Sequence, residues 1–290
     1  MLVLCSAAIV LGGLVSACRK AAPAEAPVAT PSVRVNHSRA AAGSPIELTY
    51  TFVVAKDAKF AGDYRVMLHV VDTDEELMWT DDHNPPIPTS AWKPGETVEY
   101  TRTIFVPVFP YVGNATLQVG LYSTSDQRRL ALAGEDVGQR AYKVGSLDLL
   151  PQTENLLTMF KDGWHPGETA GPNETTGWQW SKKEATLAFK NPRKDSVFYL
   201  ELDSPVAELH GPQQVQVKLG GQPLDQFTLV PNELQLRKIK LPAERLGTSD
   251  MAELQISVDK TFVPAVVNPA ISKDPRELGV RVFHAFVDAR

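Results

Sequence analysis

Residues 46–53 read Ile-Glu-Leu-Thr-Tyr-Thr-Phe-Val, with an apolar side chain at every second position until the last. Because successive side chains of a strand point to opposite faces, this alternation predicts a strand with one buried face. Similar runs occupy residues 64–72, 98–106 and 115–122, and proline and glycine punctuate the stretches between them. Short strands at this spacing predict a β-sandwich of the immunoglobulin type over residues 34–147.

The second half of the chain, residues 148–290, continues the same pattern. Its alternating runs lie at residues 185–189, 196–202, 214–219, 227–229, 237–241 and 253–258. Two modules of this size are each long enough to bury an adequate core. The sequence therefore predicts an all-β chain of two β-sandwich domains.

An apolar, uncharged run of residues 2–15 opens the chain. It is too short to span a membrane, which takes about 20 residues, and it is typical of a signal peptide, although no Lys or Arg precedes it. The following Val15-Ser16-Ala17-Cys18 resembles the bacterial lipobox. This resemblance implies that residues 1–17 are removed and that the Cys18 thiol carries lipid. An ordinary cleaved signal peptide followed by a coincidental cysteine is the alternative.

Residues 18–33 form a linker rich in alanine and proline. This composition buries too little apolar surface to fold, so the linker is predicted to be a semi-extended tether. Acyl chains on Cys18 would anchor the body stably to a membrane. Arg19, rather than an aspartate, follows Cys18. This favours the outer membrane of the cell envelope, with the body on its periplasmic or surface face.

Charge and cysteine content exclude several classes of function. The formal net charge is −5, with 29 basic and 34 acidic residues, whereas a nucleic-acid-binding protein needs clustered basic residues for the phosphates. Both cysteines, Cys5 and Cys18, precede the body. The body is therefore predicted to have no disulfide, no thiolate metal site and no cysteine nucleophile, and we expect no cofactor.

The first module contains a series of short motifs in a characteristic order. They are His69-Val70-Val71-Asp72, Asp82-His83-Asn84-Pro85, Pro88-Thr89-Ser90-Ala91-Trp92-Lys93-Pro94-Gly95-Glu96, Val106-Pro107, Gly120-Leu121-Tyr122 and Arg129-Leu130. Together they resemble the sandwich module that is appended to membrane glycosyltransferases of the protein-mannosyltransferase type. The resemblance covers most of residues 45–135. It implies a module of the cell envelope and no catalytic activity.

The second module has a signature of its own. Its motifs are Gly163-Trp164-x-x-x-Glu168, Trp178-x-Trp180, a Gly220-Gly221 hairpin and Asp274-Pro275-Arg276-Glu277-Leu278-Gly279-Val280. In this order they resemble jelly-roll domains of the galactose-binding or carbohydrate-binding type, including modules found with envelope glycosyltransferases. The resemblance covers about residues 160–285. It implies a jelly-roll sandwich over residues 148–290 and leaves the ligand open.

A saccharide site in the second module is the sharpest hypothesis about ligand binding. Sugar rings stack their C–H faces on indoles, while charged and amide groups bind the hydroxyls. The candidate ligand-binding residues are Trp164, His165, Glu168, Trp178, Trp180 and Arg276. The alternative is core packing, because Trp178 and Trp180 are two residues apart on a predicted strand and share one face.

Metal signatures are weak throughout the chain. Asp81-Asp82-His83 could offer ligands, but neighbouring residues of a strand point to opposite faces. Asp72, Asp74 and Glu75 suit the hydrogen bonds of a turn better than the spacing of a calcium loop. Residues 165–168 enclose a Pro-Gly turn and so lack the helical spacing of zinc proteases. We therefore predict no metal site.

Enzyme signatures are weak as well, since the chain has no G-x-S-x-G elbow, P-loop or G-x-G-x-x-G. The carboxylates Glu154, Asp162 and Glu168 lie near the tryptophans, so a glycan hydrolase with a carboxylate pair is one alternative. We predict a non-enzymatic, lipid-anchored cell-envelope protein with a binding or scaffolding role. Its partner would be a polysaccharide or, in the other alternative, a second envelope protein in a structural assembly.

Lipidation of Cys18 can be tested directly by acyl labelling. In a bacterial host grown with labelled palmitate, we expect the wild-type chain to be labelled and membrane-bound. A Cys18→Ser variant should lose both properties, because it lacks the thiol that accepts the first acyl chains. Cys5→Ser is the matched control and should keep both, since Cys5 is removed with the signal peptide. Labelling that survives in Cys18→Ser would refute the assignment.

Overall fold

The computed structural model describes residues 25–108, 110–170, 176–204, 209, 211–230 and 233–289. The predicted signal peptide and Cys18 lie outside the described residues. Within the described ranges, no helix has both the length and the apolar character needed to cross a membrane.

The first module is a sandwich of two sheets. Its strands are β1 (Ala29–Val35), β2 (Arg39–Ala41), β3 (Pro45–Val54), β4 (Arg65–Val71), β5 (Leu77–Thr80), β6 (Thr97–Phe105), β7 (Gly113–Tyr122), β8 (Glu135–Asp136) and β9 (Tyr142–Leu150). One sheet has the order β1-β3-β6, and the other has β2-β9-β7-β4-β5 with β8 beside β9. Strand β2 runs parallel to β9, while the other pairs are antiparallel. The strand alternation predicted from the sequence is confirmed, and the architecture is immunoglobulin-like.

The core of this module follows from the alternation. Leu48, Tyr50 and Phe52 of β3 face Leu68 of β4 and Leu117 of β7 across the sandwich, and all five are almost completely buried. The polar residues between them point outward, because the side-chain period of a strand is two. Burial of these apolar faces holds the two sheets together.

The boundaries of the first module differ from the predicted ones at both ends. Strand β1 begins at Ala29, inside the predicted linker of residues 18–33, and pairs with β3 from Ala29↔Val54 to Val35↔Leu48. The proline content of this segment suggested a linker, but Pro31 lies on an edge strand. A proline is tolerated there because its missing N–H removes no hydrogen bond from the centre of the sheet. At the other end, β9 continues to Leu150 rather than stopping at residue 147.

The second module is also a sandwich of two sheets. Its strands are β10 (Thr158–Phe160), β11 (Glu168–Ala170), β12 (Thr176–Trp180), β13 (Glu184–Lys190), β14 (Ser196–Asp203), β15 (Gln213–Leu219), β16 (Gln222–Leu229), β17 (Gln235–Leu241), β18 (Met251–Val258) and β19 (Arg281–Ala289). The sheets have the orders β10-β13-β18-β15-β16 and β11-β12-β19-β14-β17. Short helices α1 (Ala243–Leu246) and α2 (Pro264–Val267) lie in the connections. The predicted all-β class with two β-sandwiches is confirmed.

The two modules contact each other through the outer face of the sheet that contains β14, β17 and β19. The Phe105 ring stacks on the His284 ring, with centroids 3.9 Å apart and an angle of 5° between the planes. Lys238 Nζ donates to Glu47 Oε1 at 2.7 Å. Tyr199 points away from the core of its own module and is nevertheless only 1% exposed. The first module therefore packs on this face of the second.

Gly163 is a backbone constraint in the second module, because it turns the chain between β10 and β11 with φ +82°. Its carbonyl accepts a hydrogen bond from the Lys182 N–H at 2.8 Å. A Cβ at this position would lie 1.9 Å from the Glu184 carbonyl oxygen. Only glycine fits this approach of two chain segments.

Substitution of Gly163 should be far more costly than substitution of Gly221. Gly221 has a similar φ of +80°, but a Cβ there would have no heavy atom within 4 Å. We expect Gly221→Ala to lower the free energy of unfolding by about 1 kcal/mol, the cost of the left-handed backbone alone. Gly163→Ala should lower it by more than about 3 kcal/mol, because backbone atoms must also move. Equal losses in denaturant titrations would contradict this packing.

Candidate functional site

Trp164 acts as a packing residue of the second module. Its indole Nε1 donates to the Thr186 carbonyl at 2.9 Å, and its ring meets Phe160 edge-on with centroids 4.8 Å apart. The ring also packs against the main core of the module. These contacts explain its position without any ligand.

Trp178 and Trp180 share one face, as the sequence predicted, and this face is occupied by the side chain of Arg281. The guanidinium carbon lies 5.6 Å from both indole rings and 5.5 Å from the Phe283 ring. Asp203 forms the ion pair with this arginine. The aromatic surface thus already holds a cation of the protein itself.

Trp180 is unsuited to the sugar contact that we predicted for it. Its side chain is only 8% exposed and packs with Leu209, Phe262 and Leu278 in a small apolar cluster. Its burial favours the alternative of core packing, because a buried ring offers little surface on which a sugar can stack. Trp178 is half-buried at the edge of the same cluster.

His165, Glu168 and Arg276 come together on the surface of the second module. Arg276 Nη1 donates to Glu168 Oε1 at 2.6 Å, and its Nη2 donates to Asp274 Oδ2 at 2.6 Å. Hydrogen bonds from Arg276 lower the pKa of Asp274 to about 2. His165 Nε2 lies 2.7 Å from the Glu277 carbonyl oxygen. Glu168 and Arg276 thus bind each other, while the His165 ring contacts the main chain at Glu277.

A cleft of about 610 Å³ lies on the first module and was not predicted from the sequence. Its lining residues are Met67, His69, Asp82, Tyr122, Gln127, Arg128, Arg129, Gln139 and Arg140. The volume is in the range typical of pockets that bind small ligands. We refer to it as the basic cleft.

The floor of the basic cleft is the outer face of the sheet formed by β4 and β7. Met67 and His69 point outward from β4, because Leu68 between them points into the core. The walls are the chain segments that follow β7 and β8. Gly120 on β7 lets the second wall approach, because a Cβ there would lie 3.0 Å from the Arg140 carbonyl oxygen.

The lining of the basic cleft has three arginines and one carboxylate. Arg129 Nη1 donates to the Gln139 carbonyl at 2.9 Å. Arg129 lines the cleft, and among the described residues it has no carboxylate partner. Asp82 Oδ1 accepts from the Leu68 N–H at 3.2 Å, which fixes the single acid on the sheet.

The two other titratable groups of the cleft are neutral at pH 7. Burial lowers the pKa of His69, so its imidazole offers one donor and one acceptor. Burial, with the nearby Asp82 carboxylate, raises the pKa of Tyr122, which therefore keeps its phenol proton. The cleft presents a cationic rim over a polar floor that carries the Asp82 carboxylate.

The segment Asp81-Asp82-His83 divides between the interior and the cleft instead of converging on a metal ion. Asp82 faces the cleft, while Asp81 and His83 point into the sandwich. Arg102 donates to both Asp81 carboxylate oxygens, at 2.7 and 2.8 Å. Among the described residues, no group of three or more His, Cys, Asp and Glu side chains could hold a metal ion.

His83 completes this interior network. Its Nδ1 lies 2.8 Å from the Asp81 carbonyl oxygen and its Nε2 lies 2.8 Å from the Tyr100 hydroxyl. The Tyr50 hydroxyl donates to Asp81 Oδ2 at 3.1 Å, and the Tyr50 and Tyr100 rings stack at 5.3 Å. The network joins β3 and β6 of one sheet to the chain that follows β5 in the other.

The basic cleft left little trace in the sequence. The pair Arg128-Arg129 is visible, but paired basic residues are usually solvated surface. Three residues of the lining, Gln127, Gln139 and Arg140, have positive φ values of 59°, 52° and 58°. Such left-handed backbone is uncommon in residues other than glycine, so glutamine and arginine at these positions give no sequence signal for it.

No protein-family model matches the chain, and no curated protein matches it. Among solved structures, the chain is similar to a family GH115 4-O-methyl-α-glucuronidase, with 16% identity and a TM-score of 0.30 over 47% of this chain and 18% of that one. It is also similar to the second CBM51 domain and INT domains of ZmpB from Clostridium perfringens in complex with GlcNAc, with 9% identity, a TM-score of 0.27, and coverage of 89% and 41%.

A third similar structure is the CBM22-1–CBM22-2 tandem of Xyn10C from Paenibacillus barcinonensis. Its identity is 11% and its TM-score 0.24, over 86% of this chain and 79% of that one. Carbohydrate-binding-module domains are thus among the β-sandwich neighbours. The chain spans less than half of the length of the first two structures.

The interior network should make stability depend on pH. Burial lowers the pKa of His83 in the folded chain, whereas an unfolded histidine has a pKa of about 6.5. The stability contributed by the neutral ring is therefore present above about pH 6.5 and is lost as the pH falls through the folded value. We expect a shallower loss for His83→Gln than for wild type between pH 7 and 5 in urea titrations. Parallel profiles would contradict this role.

Proposed function

We propose that this protein is a non-enzymatic, lipid-anchored saccharide-binding protein of the cell envelope, and that the basic cleft is its binding site. The observation that carries the proposal is the mixed lining of this cleft. Arg129 and the amides of Gln127 and Gln139 supply donors, Asp82 and the amide oxygens supply acceptors, and His69 supplies one of each. A saccharide presents hydroxyls that both donate and accept, so such a lining suits it.

The apolar parts of the cleft support the same ligand class. The Tyr122 ring contributes an aromatic surface at one side, whereas Met67 is only 1% exposed and lies beneath the floor. Sugars have apolar C–H faces that pack on an aromatic ring. A ligand bound here would therefore contact both polar and apolar groups, as in most small-molecule sites.

The two carboxylates at the cleft are both engaged by the protein, which favours binding over hydrolysis. A glycosidase uses two carboxyl groups that flank the scissile bond, about 5–9 Å apart. Asp82 on the floor accepts a main-chain hydrogen bond, and Glu25 at the rim is held by Arg128 and Arg140. Of the carboxylates considered for a hydrolase, Glu168 is bound to Arg276.

Lipidation of Cys18 would place the cleft close to a membrane. Glu25 contacts the rim of the cleft through Arg128 and Arg140. A fully extended chain from Cys18 to Glu25 reaches at most about 25 Å. This reach is shorter than that of the predicted linker, which would extend to residue 33. An anchored protein would therefore hold its cleft near the lipid surface.

Saccharide binding can be tested with the full chain in detergent. We would screen neutral and acidic oligosaccharides on an array and measure the best binder by calorimetry. Arg129→Ala should weaken binding about tenfold, since charge-assisted hydrogen bonds to the ligand are lost. Gln127→Ala, a change at an exposed residue of the same rim, should also weaken binding.

Arg245→Ala is the matched control for Arg129→Ala. Arg245 is exposed on the second module and, like Arg129, donates to main-chain carbonyls, those of Gln222 and Pro223. This variant should bind as wild type does. The proposal fails if no saccharide binds at about 10 mM, or if binding is unaffected by both Arg129→Ala and Gln127→Ala.

A further inference from the structure

A carboxylate of the chain itself occupies the rim of the basic cleft. Glu25 Oε1 accepts from Arg128 Nη2 at 2.9 Å, and Glu25 Oε2 accepts from Arg140 Nη2 at 2.7 Å. The two arginines come from different walls, and Glu25 comes from the segment before β1. One carboxylate therefore bridges both walls of the cleft.

We infer that the ligand of the basic cleft is an acidic saccharide whose carboxylate replaces Glu25 between Arg128 and Arg140. The inference deepens the proposed function and rests on it. Glu25 shows which chemical group the rim accepts: a planar carboxylate with one oxygen toward each guanidinium. A uronic-acid residue presents the same group on a sugar ring.

The Glu25 contacts are suited to exchange. Glu25 and Arg128 have side chains that are 36% and 60% exposed. Exposed ion pairs stabilise a protein weakly, because water solvates both charges well when they separate. An incoming carboxylate that also contacts Arg129 and the polar floor of the cleft gains bonds that Glu25 does not make. The exchange therefore favours the ligand.

A carboxylate is the group that the rim already holds, since Glu25 directs one oxygen toward each guanidinium. A phosphate is the competing anion, because arginine binds both groups. Asp82 lies in the same cleft and repels any anion. His69 and Tyr122 are neutral at pH 7 and add no positive charge.

The Arg140 side chain links the two walls of the cleft. Its Nη1 donates to the Arg129 main-chain carbonyl, and its Nη2 donates to Glu25. It therefore connects the segment after β8 with the segment after β7. When a ligand carboxylate takes the place of Glu25, the arginine need not move, and the segment before β1 is released.

The test compares two ligands and four forms of the full chain in detergent. The ligands are a trisaccharide of uronic acid and its methyl ester, in which each carboxylate is neutralised and carries an added methyl group. The proteins are wild type, Glu25→Gln, Arg128→Gln and the control Glu253→Gln. Glu253 is an exposed carboxylate of the second module that pairs with Lys161 at 2.6 Å, so its neutralisation mimics the change at Glu25 away from the cleft.

We expect the acid to bind wild type about tenfold more tightly than the ester. Glu25→Gln should bind the acid about two- to fivefold more tightly than wild type, because the internal competitor is weakened. It should bind the ester unchanged. Arg128→Gln should lose most of the preference for the acid, and Glu253→Gln should behave as wild type.

Three outcomes would overturn the inference. Equal binding of acid and ester, still dependent on Arg129, would leave a saccharide site without a carboxylate subsite. An unchanged affinity of Glu25→Gln for the acid would show that Glu25 does not compete. Displacement of the acid by inorganic phosphate at a lower concentration than by free uronic acid would assign the rim to a phosphorylated ligand. If neither trisaccharide nor any array saccharide binds, the proposed function fails first.

Discussion

The ion pair between Asp81 and Arg102 is the interaction on which the first module depends. Arg102 lies on the inner face of β6, opposite Leu48 on β3, and its side chain is 36% exposed. Asp81 follows β5 of the other sheet, is largely buried and accepts two hydrogen bonds from the guanidinium. Loss of Arg102 would leave the Asp81 carboxylate without its cation, so the pair connects the two sheets. Because Asp81 points inward, Asp82 points outward and becomes part of the basic cleft.

Much of the fold could be predicted from the sequence because apolar periodicity is local information. The alternation of residues 46–53 and 196–202 identified β3 and β14 to within a residue or two. Strand β1 was missed because its composition resembles that of a linker. Its pairing with β3 joins residues that are distant in sequence, so local periodicity does not indicate it. The site was harder to predict, since its lining comes from segments that only the fold brings together. Trp180 was visible as an aromatic residue, but its burial depends on Phe262 and Leu278, which are distant in sequence.

The two modules use aromatic and charged side chains in different ways. In the second module, Trp178 and Trp180 enclose Arg281, and Asp203 balances its charge. In the first module, the arginines line a cleft and are balanced in part by Glu25, which belongs to the segment before the first strand. In the second module the Arg281 charge has an acidic partner, whereas Arg129 of the first module has none within the part of the chain that the structure describes. This difference moves the proposed saccharide site from the second module to the first.

The most direct test of the account is a crystal structure of the full chain with a uronic-acid trisaccharide. The account predicts sugar density in the basic cleft, with a carboxylate between Arg128 and Arg140 and with Glu25 displaced from both. Sugar density against Trp178 in the second module, with Glu25 still bridging the two arginines, would contradict it.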